Sequence, residues 1–215
     1  MFYALVLSNS ASVLLFVLRA LEADSLRYDF LIWNLFLAWL PLGFAWWLVL
    51  RLRQSGQWLQ PLNLLLAALW LGFLPNSFYL ISDLIHLEVT GEVSLLYDVV
   101  LMCSFIFNAY TAGLISMCLV HRELIRRVGR ARAHSVIAAV LLVCSFAIYL
   151  GRNLRWNTWD VLINPGGILF DVSDRVINPA SHPQAFVTTA TFFVLLGSIY
   201  VVIWQLVQAL RADNR

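Results

Sequence analysis

Lysine is absent from the 215 residues, so all 14 basic side chains are arginine. That absence excludes a Walker-type phosphate loop, a Schiff-base lysine and a lysine general base, and no G-x-G-x-x-G run offers another nucleotide cradle. Charge of either sign is scarce at 12%, whereas 61% of the residues are apolar; ordinary globular chains carry about 25% charged residues and roughly 45–50% apolar ones. So few charged side chains cannot clothe a soluble core of this length, so the solvent for most of the chain is lipid. Three cysteines exclude a disulfide-stapled fold, and the apolar fraction excludes disorder. A net charge of +2 is too small to argue for nucleic acid.

What the sequence has in abundance is long uncharged runs. A bilayer core of roughly 30 Å needs about 20 apolar residues of helix. Six runs near that length occur, at about 2–18, 30–50, 62–82, 99–120, 134–151 and 184–210. The expected fold is therefore all-α, a single transmembrane domain of six helices spanning residues 1–215. Ser8, Asn9, Ser10 and Ser12 interrupt the first run, which is kept as a span because it lacks a basic start and a small-residue cleavage site. The connection 152–183 is long and carries Pro165-Gly166-Gly167 and Pro179; its apolar side chains Ile168 to Phe170, Val172, Val176 and Ile177 suit a lid lying along the membrane surface.

Six spans place both termini and the loops 51–61 and 121–133 on one face. Nine arginines fall there, counting Arg211 and Arg215, against five on the other face: Arg19, Arg27, Arg152, Arg155 and Arg175. The positive-inside rule makes the first face cytoplasmic. Acidic residues divide more steeply, with only Glu123 and Asp213 on that face and ten on the outer one. Such residues barely steer topology, so their segregation needs its own explanation.

Polar groups inside or at the edge of a span mark function or a partner. Beyond Pro75, a continuing helix puts Asn76, Tyr79, Asp83 and His86 on one face. A hairpin turn at Thr90-Gly91 sets Asp98 at a depth similar to Asp83, so Asp83, His86 and Asp98 are expected to converge, and Asn34 is placed to join Asp83 and the polar cluster that follows the fifth span. After the fifth span come Gly151-Arg152-Asn153-Leu154-Arg155-Trp156-Asn157-Thr158-Trp159-Asp160, where Arg152 and Arg155 offer two guanidinium forks one turn apart. Cys103, Cys118 and Cys144 read as small buried hydrophobes. His121 and His134 read as solvated groups bracketing the basic loop, and Asn108, Thr111, Gly113 and Ser116 as helix-packing residues.

These blocks, Pro75-Asn76 with Tyr79, Asp83 and His86-Leu87, then Tyr97-Asp98, then Gly151-Arg152 through Asp160, resemble the bacterial membrane-protein family called domain of unknown function 1361. The resemblance covers about residues 30 to 210, with Ser77-Phe78 where the family pattern has Ala-Pro. It implies a bacterial inner-membrane protein with several spans and carries no reaction with it.

The leading expectation is a small membrane enzyme acting on a lipid or lipid-linked anionic substrate. Asp83, His86 and Asp98 serve in it as acid and base or as ligands of a divalent metal, and Asn76, Tyr79, Arg152, Arg155, Asn157, Trp159 and Asp160 as binding residues. His182 is a conceivable fourth metal ligand. A proton- or ion-coupled transporter titrating Asp83 and Asp98 is the alternative. The plain structural reading is an accessory subunit in which Asp83 pairs with Arg152 or Arg155.

Overall fold

The computed structural model describes residues 2–55 and 57–212. Asp213 and Arg215, counted above in the charge asymmetry, lie outside the described residues, as does the side chain of Arg211. Among the described residues there is no strand. The helices in chain order are α1 (Phe2–Ala23), α2 (Phe30–Ser55), α3 (Pro61–Tyr79), a 3₁₀ segment (Leu80–His86), α4 (Leu95–Val128), α5 (Arg130–Leu154), α6 (Asp160–Ile163), α7 (Pro165–Ile177), a short 3₁₀ turn (Pro179–Ser181) and α8 (Pro183–Ala212). Six of them, with the 3₁₀ segment extending α3, are long and apolar enough to cross a membrane. The expected all-α membrane fold is what the chain adopts.

The helices overrun the uncharged runs because arginine and glutamate are good helix formers and arginine can snorkel at the membrane edge. Thus α4 continues through Arg122, Glu123 and Arg127, where Arg127 Nε donates to Glu123 Oε1 one turn back at 2.7 Å. Local sequence sets the ends. The Ser94 hydroxyl accepts from the Tyr97 backbone N–H at 3.2 Å and caps α4. Prolines 61, 165 and 183 open α3, α7 and α8, where no donor is needed. Gly129, at φ 83°, reverses the chain between α4 and α5 in a backbone region open to glycine at no steric cost.

One expectation about helix ends is corrected. The α-helix runs through Pro75 but tightens to 3₁₀ after Tyr79, and residues 87–94 form no helix. The even-depth hairpin expected around Thr90-Gly91 is therefore replaced by a short 3₁₀ segment and an irregular connection.

By internal contacts the chain forms two compact units, residues 1–116 and 117–215. In the first, Phe16, Tyr28, Leu31, Leu35, Leu101 and Phe105 build a core shared by α1, α2 and the first half of α4. A second cluster, Leu48, Leu52 and Leu66, joins α2 to α3. In this unit α3 and α4 come close where Gly113 lies: a Cβ there would stand 2.6 Å from Ser77 Cβ. Ser77 itself donates to the Ala38 carbonyl at 2.9 Å, tying α3 to α2. Ser116 accepts from Trp70 Nε1 at 3.2 Å, so Gly113 and Ser116 serve packing as expected. In the second unit α5 packs along α8, with Ile137, Leu141, Cys144, Leu196 and Tyr200 buried. Apolar side chains such as Leu7, Phe107 and Val202 face outward from both units, as lipid contact requires.

Candidate functional site

One polar cluster of the first unit forms where α1 finishes and α4 begins. Arg19 ends the uncharged part of α1, and its side chain is fully buried. Its Nε donates to Asp98 Oδ1 at 3.1 Å and its Nη2 to Glu92 Oε2 at 2.9 Å, while the guanidinium stacks 4.7 Å from the Tyr28 ring centroid. The Tyr28 hydroxyl donates to Asp98 Oδ2 at 3.4 Å. Burial first, then the Asp98 carboxylate, holds the Tyr28 phenol above its ordinary value, so it stays a donor. Asp98 also occupies the first turn of α4, where the helix dipole favours an anion. On the rim, Arg27 pairs with Glu88 at 2.5 Å.

Asp83 has a different hydrogen-bond partner. The 3₁₀ segment buries it, and the Asn34 carboxamide of α2 donates to its Oδ2 at 3.0 Å; the expectation that Asn34 joins Asp83 holds. His86 is exposed three residues on, its ring edge-on to Phe30 at 5.7 Å between centroids. In a 3₁₀ helix residues i and i+3 eclipse one another, so Asp83 and His86 share one side of the segment. Asn76 and Tyr79 are half-buried; the Asn76 amide donates to the Phe73 carbonyl at 3.0 Å, beside the break that Pro75 makes in the ladder.

Asp83, His86 and Asp98 are thus divided between two settings. Among the described residues no three His, Cys, Asp or Glu side chains stand where they could hold a metal ion. The Asp98 carboxylate, expected as a ligand, has a guanidinium on one oxygen and a phenol on the other.

The second unit holds the other expected residues. Arg152 is half-buried, Arg155 exposed and in the left-handed region at φ 59°, where the Trp156 N–H reaches the Leu150 carbonyl at 3.2 Å and closes α5. Asn157 and Trp159 are exposed, and Asp160 accepts from the Asn157 backbone N–H at 2.7 Å. His182 stands 2.7 Å from Asp174 Oδ2, a contact within its own connection.

Residues 33–197 match the model of the family described as Protein of unknown function (DUF1361). The chain belongs to that family. The DUF1361 match takes in the segments carrying Asp83, His86, Asp98, Arg152 and Arg155 and leaves α1, with Arg19, outside it. No curated protein and no solved structure matches the chain.

Several working residues escaped the sequence reading. In the sequence Arg19 is only one of five arginines on the less basic face, and nothing local links it to Asp98, 79 residues away. Asn9 receives Trp39 Nε1 at 3.0 Å and donates to Asn108 Oδ1 at 3.2 Å; Asn108 in turn donates to Ser12 at 2.8 Å. The polar interruptions that weakened the first span are therefore the ties that fasten α1 to α2 and α4. Two expectations are corrected. Cys103 is exposed and lines an open groove of about 410 Å³ with Ser8, Ser12 and Phe107. His121 is buried, its Nδ1 2.7 Å from the Tyr200 hydroxyl and its ring stacked on Trp204 at 4.0 Å, because aromatic side chains of α8 cover that turn of α4; His134 remains exposed.

Proposed function

We propose that this multi-pass membrane protein is a small enzyme that performs acid–base chemistry on a lipid or lipid-linked substrate, with Asp83 and His86 as its catalytic pair. The observation that carries this is the 3₁₀ segment after Tyr79. It sets a buried carboxylate, oriented by the Asn34 amide, one 3₁₀ turn from an exposed imidazole. An exposed imidazole can reach a substrate and give or take a proton there, and a carboxylate on the same side of the segment suits the role of its partner. Asp98 leaves the catalytic set, since Arg19 and Tyr28 already engage its carboxylate, and the acid–base form is favoured over the metal-assisted one for the same reason. In the second unit, Arg155 with Trp159 suits an anionic headgroup at the interface. The arginine distribution favours cytoplasmic termini, and the family resemblance a bacterial inner membrane, which would put the Asp83–His86 side at the outer leaflet.

The test is a lipid profile of a host strain lacking the gene, complemented with wild type, Asp83→Asn or His86→Ala at matched membrane levels. The expected result is one lipid or lipid-linked species that accumulates on deletion, is cleared by wild type and persists with both variants. An unchanged profile on deletion, or full complementation by both variants, overturns the proposal.

A further inference from the structure

Helix α7 is inside out. Its packed side is polar: Arg175 is buried, donates from Nε to the Tyr149 hydroxyl of α5 at 3.2 Å, and pairs through Nη1 with Asp171 Oδ1 at 3.0 Å. Trp156 Nε1 donates to the other Asp171 oxygen at 2.7 Å, and Gly167 lets the start of α7 close on that indole, since a Cβ there would stand 2.8 Å from it. The open side is apolar. Leu169, Phe170, Val176 and Ile177, with Leu162 and Ile163 of α6, are between 66% and 85% exposed. In α7 these positions follow the i, i+1, i+7, i+8 spacing of one helical face.

Water cannot be the solvent for such a face. Soluble helices turn the apolar stripe inward, and the six side chains just named exceed what a monomer leaves bare in one place. The chain itself places the segment beside lipid. Five residues, 155–159, separate α5 from α6 and five, 178–182, separate α7 from α8. At roughly 3.5 Å per residue, neither tether lets the segment rise more than about 20 Å from the ends of two spans. The Tyr149–Arg175 contact draws it lower, because Tyr149 lies five residues inside α5, about 7 Å below its end. With 13 residues, α7 is about 20 Å long, too short to cross the hydrocarbon and suited to lying in its edge.

We propose that residues 160–177 lie in the lipid–water interface on the side where α5 ends and α8 begins, with Leu162, Ile163, Leu169, Phe170, Val176 and Ile177 among the acyl chains. The occupant of the face is the bilayer itself. Interfacial helices commonly grip anionic lipid through a basic polar face; here the one arginine of α7 is turned inward onto Asp171, so seating does not depend on lipid charge. This inference stands apart from the Asp83–His86 proposal.

The experiment uses the full chain with the exposed native cysteine removed (Cys103→Ala) and a single new one at Phe170→Cys or Ile177→Cys. Each protein is labelled with a fluorophore and reconstituted into phosphatidylcholine vesicles, with size-exclusion elution matching wild type as the folding control. The expected result is at least twofold quenching by acyl-chain nitroxide lipids, little quenching by iodide, and the same pattern when anionic lipid is added. Iodide quenching without nitroxide quenching at both positions overturns the proposal in favour of a water-exposed segment. Shielding from both quenchers, together with disulfide cross-linking of Phe170→Cys between chains, overturns it in favour of a second copy covering the face.

Discussion

Arg19 and Asp98 give the sharpest quantitative test of the first unit. Both side chains are all but inaccessible, at 0% and 1% exposure. Replacing Arg19 by methionine keeps most of the stem's packing but strips Asp98 of its cation and leaves it the Tyr28 hydroxyl at 3.4 Å, a long bond. A buried carboxylate deprived of its partner costs about 3–5 kcal/mol. The partly exposed Glu92 loses its partner too, but water can solvate it. Arg19→Met is therefore expected to destabilise the protein by about 3 kcal/mol or more. Asp98→Leu alone leaves Arg19 with Glu92 and should cost less, and the double variant should recover most of the loss, because hydrophobic replacement of a buried ion pair is often near neutral. The double-mutant cycle is read from equilibrium unfolding in detergent micelles, with coupling of at least about 1.5 kcal/mol between neighbours in direct contact. Additive effects, or a cost below about 1 kcal/mol for Arg19→Met, would refute the reasoning by showing that water reaches the pair.

Gly113→Ala would drive a Cβ to within 2.6 Å of Ser77 Cβ, an atom fixed to its backbone; a loss of about 1–3 kcal/mol in detergent stability is expected. Arg155 holds a left-handed conformation at φ 59° on an exposed turn. Arg155→Gly should accordingly raise stability by about 0.5–1 kcal/mol, while weakening retention of anionic lipid measured by native mass spectrometry if its side chain binds headgroups. Hydrogen bonds from Asn178 and then His182 hold the Asp174 carboxyl below the ordinary 3.8. A depressed carboxyl stabilises the fold above its unfolded value and ceases to do so as pH falls through the folded one. Hydrogen exchange at the end of α7 should therefore quicken only below about pH 4, and Asp174→Asn should remove that acid step.

Hydropathy made the helices legible because in lipid every backbone group must be paired within its own segment, which turns an uncharged run of adequate length into a helix. Asn34 beside Asp83 and the packing role of Gly113 and Ser116 were also readable, each from a polar or small residue set in an apolar run. The pairing of Arg19 with Asp98 was not, since azimuths about the helix axes decide which side chains meet, and nothing in the sequence fixes them across 79 positions. The switch from α to 3₁₀ after Tyr79 was equally hidden. It sets Asp83 and His86, already on one face of an α-helix, one above the other, and it carries the chain into 87–94 without the hairpin on which the three-residue convergence depended.

The steep segregation of acidic residues now has a physical account that topology rules do not provide. Glu92 and Asp98 meet Arg19, Glu88 meets Arg27, Asp171 meets Arg175, and Asp174 meets His182. Asp160 caps a backbone N–H and Asp83 takes the Asn34 amide. Asp83, Asp98 and Asp171 meet donors on buried or half-buried side chains, where an unmet donor is costly, whereas Glu88 meets Arg27 at the exposed rim. The basic segment 121–133, where α4 ends and α5 begins, follows the opposite logic: Arg130 and Arg132 are exposed, so water and lipid headgroups suffice as partners, and its single carboxylate, Glu123, is buried beside Arg126 and Arg127. Acidic residues are thus counted out by the donors that need them, and a substitution that adds a carboxylate on the basic loop should be tolerated far better than one that removes Asp98 or Asp171.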